Sequence, residues 1–401
     1  MDELEFSLVI PYKQRRDNLK ITLETLATQT VDGIPFEVVV GVMEYAVEYV
    51  ELCREFADRL RIVSVLADEE WSQSTARNLA LKQARGRVVV FLDADMAVPR
   101  GFLRNLRDRH FAHGQNACVV GQAVGYEDVV DTDTDAADLL PHQQYRDVLA
   151  ELEAREDVPI MDERWTPEFA PVVLRCPWAL VRSGLVALPR TLIEQHRLFF
   201  DEGFRGWGPE DQEWGLRISL TGTPILFQQD VYAVHMPHSR DTAANGRTAW
   251  LNNRYYLRKW PRRELELALS FGWTKTALIY ADVEADLSRA AGSEQAQSLG
   301  VVRARVDGRD TLLVGALLDA RSLPTADTTA LLDRGSTPEV FPLAGFGLPY
   351  EDDGVEECRI LAPVSLLREE YRSAIVREAR RAAKNVVIEG ADRPHSALLA
   401  G

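Results

Sequence analysis

Val88-Val89-Val90-Phe91-Leu92-Asp93-Ala94-Asp95 is the stretch that decides the fold. Five large apolar residues in succession form a buried strand, since a half-exposed strand would alternate apolar with polar. The run stops at two carboxylates one residue apart, so charge is held at the strand's carboxyl end. The pattern repeats outward from it. Residues 6–10 read as a buried strand stopped by Pro11, residues 36–42 as a second and 61–66 as a third. Between them, residues 17–28 set Leu19, Leu23 and Leu26 on one helical face. Residues 47–60 read as a second helix. Residues 72–84 read as a third, closed by Gly86 in the usual C-terminal position. This alternation predicts an α/β domain with a mostly parallel sheet and helices on both faces. Ligands bind such sheets at the carboxyl ends of strands, where residues 11–15 and 93–95 both fall.

Farther along, residues 128–138 are acidic, threonine-rich and poor in large apolars, and read as a mobile loop. Residues 174–195 return to apolar patterning, and 221–232 read as a turn and a strand. Residues 249–267 are aromatic and basic, helical and broken near Pro261. Composition shifts after about residue 270. Residues 288–300 are mostly small and polar, 301–318 read as two strands around Asp307-Gly308, and 363–386 as one long helix. The expectation is two domains, 1–270 and 271–401, the second an α+β extension that packs or joins a homo-oligomer.

The chain of 401 residues is 46% hydrophobic and 27% charged, enough to bury a large core. Its net charge of −16 argues against a nucleic-acid partner. The four cysteines show no CxxC spacing, which favours buried thiols over a zinc site or a disulfide frame. No apolar run reaches the roughly 18 to 20 residues of a membrane helix. The strand from residue 6 leaves no room for a signal peptide. The expectation is a cytoplasmic protein with no membrane span.

Two carboxylates at a strand rim suit a divalent cation bound to a diphosphate, because hard oxygen ligands hold Mg²⁺ or Mn²⁺. His235 and His238 lie far downstream. Imidazole suits Mn²⁺ better than Mg²⁺, so an Asp and a His from distant segments could share one Mn²⁺ site. Lys13, Arg15 and Arg77 are cations that could neutralise a diphosphate at the same rim. Tyr12 could stack on a base or pack against the first helix. Gly206-Trp207-Gly208-Pro209-Glu210-Asp211 adds an aromatic and two carboxylates in a turn-forming stretch. The plain alternative for Asp211 is that it caps a helix starting at Gln212.

Several of these segments resemble one family. Val9-Ile10-Pro11-Tyr12-Lys13-Gln14-Arg15 is similar to the opening of the GT-A-fold glycosyltransferases, and Ala76-Arg77-Asn78 with Phe91-Leu92-Asp93-Ala94-Asp95 to the family 2 pattern. Gly206–Asp211 and His238-Ser239-Arg240-Asp241 resemble signatures of the β-1,4-galactosyltransferases. The resemblance implies a nucleotide pocket lined by Pro11, Tyr12, Lys13 and Arg15. It implies Asp93 on the donor's ribose or sugar, and Asp95 and His238 on the metal. Trp207 would contact donor and acceptor, Glu210 would orient the acceptor, and Asp211 would be the base. His235 falls where the galactosyltransferases use Met, so its part as a ligand stays open.

There are departures. Where many family 2 enzymes show Asp-Asp-Gly-Ser, this chain has Val40-Gly41-Val42-Met43-Glu44, so the base-reading carboxylate is either missing or shifted to Glu44 or Asp68. Pro209 replaces a Gly. The resemblance implies a metal-dependent, inverting transfer from a UDP-sugar to a hydroxyl of a saccharide, peptide or small molecule. A retaining transferase, a sugar-nucleotide-binding module and a nucleotidyltransferase are the rivals. The last should carry a Gly-rich loop after the first strand, and residues 11–18 contain no Gly.

Overall fold

The computed structural model describes residues 4–125, 141–155, 158–238, 241–292 and 298–389. The loop expected at 128–138 lies outside these. Contacts divide the chain into two units, up to Ala249 and from Trp250.

The first unit opens with β1 (Phe6–Tyr12), α1 (Arg16–Ala27), β2 (Phe36–Val42), α2 (Val47–Glu55), β3 (Ile62–Leu66), α3 (Gln73–Leu81) and β4 (Val88–Leu92). It continues with β5 (Met96–Ala97), α4 (Phe102–Asn105), β6 (Cys118–Val124), α5 (His142–Glu153), α6 (Ala170–Arg175), β7 (Leu185–Pro189), α7 (Arg190–His196), α8 (Glu210–Leu220) and β8 (Ile225–His235). Its sheet has the order β3-β2-β1-β4-β7-β6-β8-β5. The first four strands are parallel, β7 is antiparallel to β4 and β6, and β8 runs parallel to β6. The chain winds outward from β1 to β3, then returns to β4 on the other side. The carboxyl ends of β1 and β4 therefore border the crevice where such sheets bind ligands.

Burial on both faces accounts for the unbroken apolar runs. Leu8, Ile10, Val88, Val90 and Leu92 enter one core, and Val9, Val89 and Phe91 the other. Pro11 does not stop β1, which runs on to Tyr12. Pairing with β4 ends at Val9, so Pro11 has only β2 beside it, an edge-like place where a missing N–H is tolerated. Gly86 is not a helix cap, since α3 ends at Leu81. Its N–H donates to Ser7 Oγ at 2.7 Å, and a Cβ there would stand 2.4 Å from the Phe6 carbonyl carbon. Close approach of backbones, not helix termination, calls for the glycine.

The second unit holds most of α9 (Thr242–Lys259), then α10 (Arg263–Phe271), α11 (Trp273–Ala291), β9 (Ser298–Val306), β10 (Arg309–Leu318), α12 (Ala326–Ala330), β11 (Glu339–Phe341), β12 (Val355–Ile360), α13 (Glu369–Ala382) and β13 (Ala383–Ile388). Its sheet runs β11-β9-β10-β12-β13. The Asp307-Gly308 turn joins β9 to β10 as read from sequence. The long helix expected at 363–386 is shorter. It ends at Ala382, and the β-branched run Val386-Val387-Ile388 pairs in parallel with β12.

The contact boundary lies at Ala249–Trp250, ahead of the composition shift near residue 270. The buried Glu266 on α10 shows why α10 belongs with the second unit. It accepts N–H bonds from Ala344, Gly345 and Phe346 at 3.1, 2.6 and 2.9 Å, and pairs with Arg263 at 2.5 Å. Glu266→Ala would strand three amides and leave Arg263 with Glu284 alone, 3.0 Å from its Nε. Breaking such a buried pair costs about 3–5 kcal/mol, so the urea midpoint of the second unit should fall sharply.

Candidate active site

Two side-chain clusters meet at the carboxyl rim of β4. The first centres on Asp95, which is buried. Its Oδ2 lies 3.2 Å from His238 Nε2 and its Oδ1 3.9 Å from His235 Nε2. One ligand atom from each of the three falls within 4.8 Å of the others. Strand register brings them together. β5 follows Asp95 directly and pairs antiparallel with β8, Met96 opposite His235. The Met236 N–H then donates to the Asp95 carbonyl at 2.8 Å, and Asn18 Nδ2 to the Pro237 carbonyl at 3.1 Å. Asp95 Oδ1 is buried with no hydrogen-bond partner among the described residues, as a ligand oxygen awaiting a cation would be. A carboxylate with two imidazoles fits Mn²⁺ by donor chemistry.

The second cluster centres on Arg77. Its Nη2 reaches Asp93 Oδ1 at 3.1 Å, and its Nη1 reaches Glu210 Oε1 at 3.2 Å and Asp211 Oδ1 at 3.3 Å. Burial opposes its charge, but Asp211, Asp93 and Glu210 together raise its pKa. Burial pushes Glu210 up to about 7, aided by the charge of Asp211 and opposed by Arg77. Burial likewise raises Asp93, with Arg77 opposing and Asp95 and Asp211 adding to it.

The turn before α8 and α8 itself deliver Glu210 and Asp211. Trp214 anchors the helix beneath β4. Its Nε1–H donates to the Leu198 carbonyl at 2.8 Å, and its ring meets Phe91 and Phe200. Asp211 is not a helix cap: α8 starts at Glu210 with Pro209 as the cap residue, so Asp211 stands in the first turn. Ser183 Oγ donates to Asp211 Oδ1.

The remaining expected residues divide. Lys13 is exposed, its Nζ 5.7 Å from the centre of the Trp71 ring. Trp207 is half-exposed, its N–H donating to Thr248 Oγ1 at 3.1 Å. Pro11 and Tyr12 are buried. Tyr12 packs on Tyr49 of α2 with ring centres 4.8 Å apart, so it supports the rim from beneath and offers no face to a base. Arg77 is also turned inward. Three carboxylates hold its two terminal nitrogens, and its side chain is buried away from the open rim that a diphosphate ligand must face.

Sequence reasoning missed Ser183 and Gly184. The Asp93 N–H donates to the Gly184 carbonyl at 3.1 Å, and a Cβ on Gly184 would stand 2.9 Å from Asp93 Oδ2. No motif marks them. Only the antiparallel pairing of β4 with β7, Leu92 opposite Leu185, sets them beside the acids.

Residues 7–157 match the profile of Glycosyl transferase family 2. Over that stretch the chain is similar to the family 2 glycosyltransferases. The matched stretch falls within the first unit, and the second unit lies beyond it in sequence. The validoxylamine A glucosyltransferase of Streptomyces hygroscopicus subsp. limoneus is 27% identical, over 95% of this chain and 89% of its own. That of S. hygroscopicus subsp. jinggangensis is 26% identical, over 95% and 96%. A mannosyltransferase from Pyrobaculum calidifontis, solved with GDP-Man and Mn²⁺, aligns with a TM-score of 0.46 at 19% identity, over 72% of this chain and 76% of its own. No described helix of this glycosyltransferase is long and apolar enough to cross a membrane.

Arg77→Met should leave three carboxylates without their shared counter-charge. An uncompensated buried cluster of this kind costs about 3–5 kcal/mol, read as a lower urea midpoint. Arg77→Lys should recover only part, because an ammonium cannot reproduce the forked guanidinium.

Proposed function

We propose that this enzyme transfers a hexose or N-acetylhexosamine from a UDP-sugar to a hydroxyl of a small polyhydroxylated acceptor, with metal dependence and inversion at the anomeric carbon. The observation that carries this reading is the meeting, at the rim of β4, of a carboxylate–imidazole triad with a solvent-reachable carboxylate. Asp95, His235 and His238 would hold Mn²⁺, or Mg²⁺ less well. The bound metal supplies charge neutralisation for the departing diphosphate. Lys13 adds a cation at the same rim, and Asp93 would hold the donor's ribose or sugar.

Asp211 is the proposed base. Its side chain is 22% exposed against 6% for Glu210, so an acceptor can reach it. The pKa of about 7 would suit Glu210 to proton transfer, but its carboxyl is enclosed against Arg77. Asp211 takes the acceptor's proton as the acceptor oxygen bonds to the anomeric carbon. The bond from that carbon to the phosphate oxygen breaks on the opposite face, and its electron pair leaves with UDP. Glu210 would orient the acceptor indirectly, through the Arg77 guanidinium it shares with Asp211, and Trp207 would contact both substrates.

UDP follows from the resemblance, with Glu44 or Asp68 in place of the usual base-reading carboxylate. A small acceptor is supported by the names of the two Streptomyces relatives, whose match includes the second unit. A thermal-shift panel of UDP- and GDP-sugars with Mn²⁺ tests the reading. A ligand at 100 times its Kd stabilises by about 2.7 kcal/mol, so UDP-sugars should raise Tm with Mn²⁺ and not with chelator. Indifference to every nucleotide sugar would remove the donor assignment. The product anomer, read by NMR, decides inversion.

A further inference from the structure

Arg15 sits on the carboxylate that a metal would need. Its Nη1 lies 2.5 Å from Asp95 Oδ2, the same oxygen that faces His238 Nε2 at 3.2 Å. The Asp95 side chain is 2% exposed, whereas that of Arg15 is 40% exposed. A cation anchored at the surface thus reaches inward to a buried carboxylate, whose burial without a counter-charge would be costly. A divalent cation among Asp95, His235 and His238 would share that carboxylate with Arg15, whether on the unpartnered Oδ1 or on Oδ2 itself. A guanidinium and a dication on one carboxylate repel each other, so each weakens the other's hold on it.

Resting on the reading of this triad as the metal centre, we propose that Arg15 is the metal's stand-in in the free enzyme and becomes a ligand of the donor diphosphate when the metal enters. The two events assist each other. The dication displaces Arg15 from Asp95, and the diphosphate accepts the released guanidinium, whose fork matches phosphate oxygens. Metal and nucleotide binding are therefore positively coupled, by the same factor in both directions. Mn²⁺ alone must compete with Arg15 and binds weakly.

Calorimetric titration of the full chain with MnCl₂, with and without saturating UDP, tests this through binding alone. Arg15→Gln removes the competitor. The Arg15 carbonyl, not its side chain, accepts the Leu19 N–H at 2.9 Å, so the start of α1 is kept. Coupling between sites commonly amounts to roughly 5- to 150-fold. Mn²⁺ alone should bind Arg15→Gln tighter by a factor in that range, and the gain from added UDP should shrink accordingly. Arg16→Gln is the control. It removes the same charge one residue on, where the side chain faces Asp17 and Glu55 at 3.2 and 3.4 Å, and it should titrate like the unaltered protein. Unchanged or weaker Mn²⁺ binding in Arg15→Gln overturns the proposal. So does an equal gain in Arg16→Gln, which would mean a general field and no direct occupation. Normal Mn²⁺–UDP binding by Asp95→Asn overturns the metal-centre reading and the proposal together. Loss of binding in Asp95→Asn with no gain in Arg15→Gln overturns the Arg15 proposal alone.

Discussion

Asp211→Asn should lower turnover by roughly 10²- to 10⁴-fold, the usual contribution of a positioned general base, while donor affinity stays within a few-fold. Asparagine keeps an oxygen that can accept from Ser183 Oγ and Arg77 Nη1, the two groups that hold Asp211 in place. It cannot take a proton. The fold should survive, because Asp211 lies in the first turn of α8 and caps nothing. Single-turnover assays at saturating donor and acceptor separate this loss from weaker binding. Near-normal turnover by folded Asp211→Asn would remove the base assignment. Glu210→Gln is then the decisive companion, because Glu210 shares Arg77 with Asp211.

Asp95→Asn should lose metal-dependent donor binding by more than about 100-fold, since even outer-shell partners of a metal ligand are worth roughly 10- to 100-fold. Chelation of the unaltered enzyme should abolish transfer, and Mn²⁺ should restore it better than Ca²⁺. His238→Ala should follow the same pattern, its Nε2 being 3.2 Å from Asp95 Oδ2. His235 is a finer probe. Its Nε2 lies farther, at 3.9 Å from Oδ1, so His235→Met, which swaps the imidazole for a softer thioether donor, should retain metal use with altered ion preference. Full transfer in excess chelator would contradict the metal requirement.

Much of the first unit was legible because periodicity reports burial directly. The run Val88–Leu92 could only be a strand hidden on both faces, and the alternation around it could only place Asp93 and Asp95 at a carboxyl rim. Even β2 matches its expected bounds, Phe36–Val42. Ends were less legible. Pro11 continues a strand because of which neighbour it lacks, and residues 383–388 leave a helix to join β12. Both are decided by partners distant in sequence.

The sequence by itself determined the α/β order, the acids at the rim of β4 and the residue types able to bind a metal diphosphate. Tertiary structure alone decided how those residues face one another. Arg77 reads as a rim cation but is turned inward by Asp93, Glu210 and Asp211, which come from two segments. His235 reaches Asp95 through the register of β5 with β8, and Ser183 reaches Asp211 only after β7 pairs with β4. The physical reason is one of range. A side chain's chance of burial is written in its immediate neighbours, whereas the counter-charge that makes burying a charge tolerable must come from wherever the fold brings the chain back.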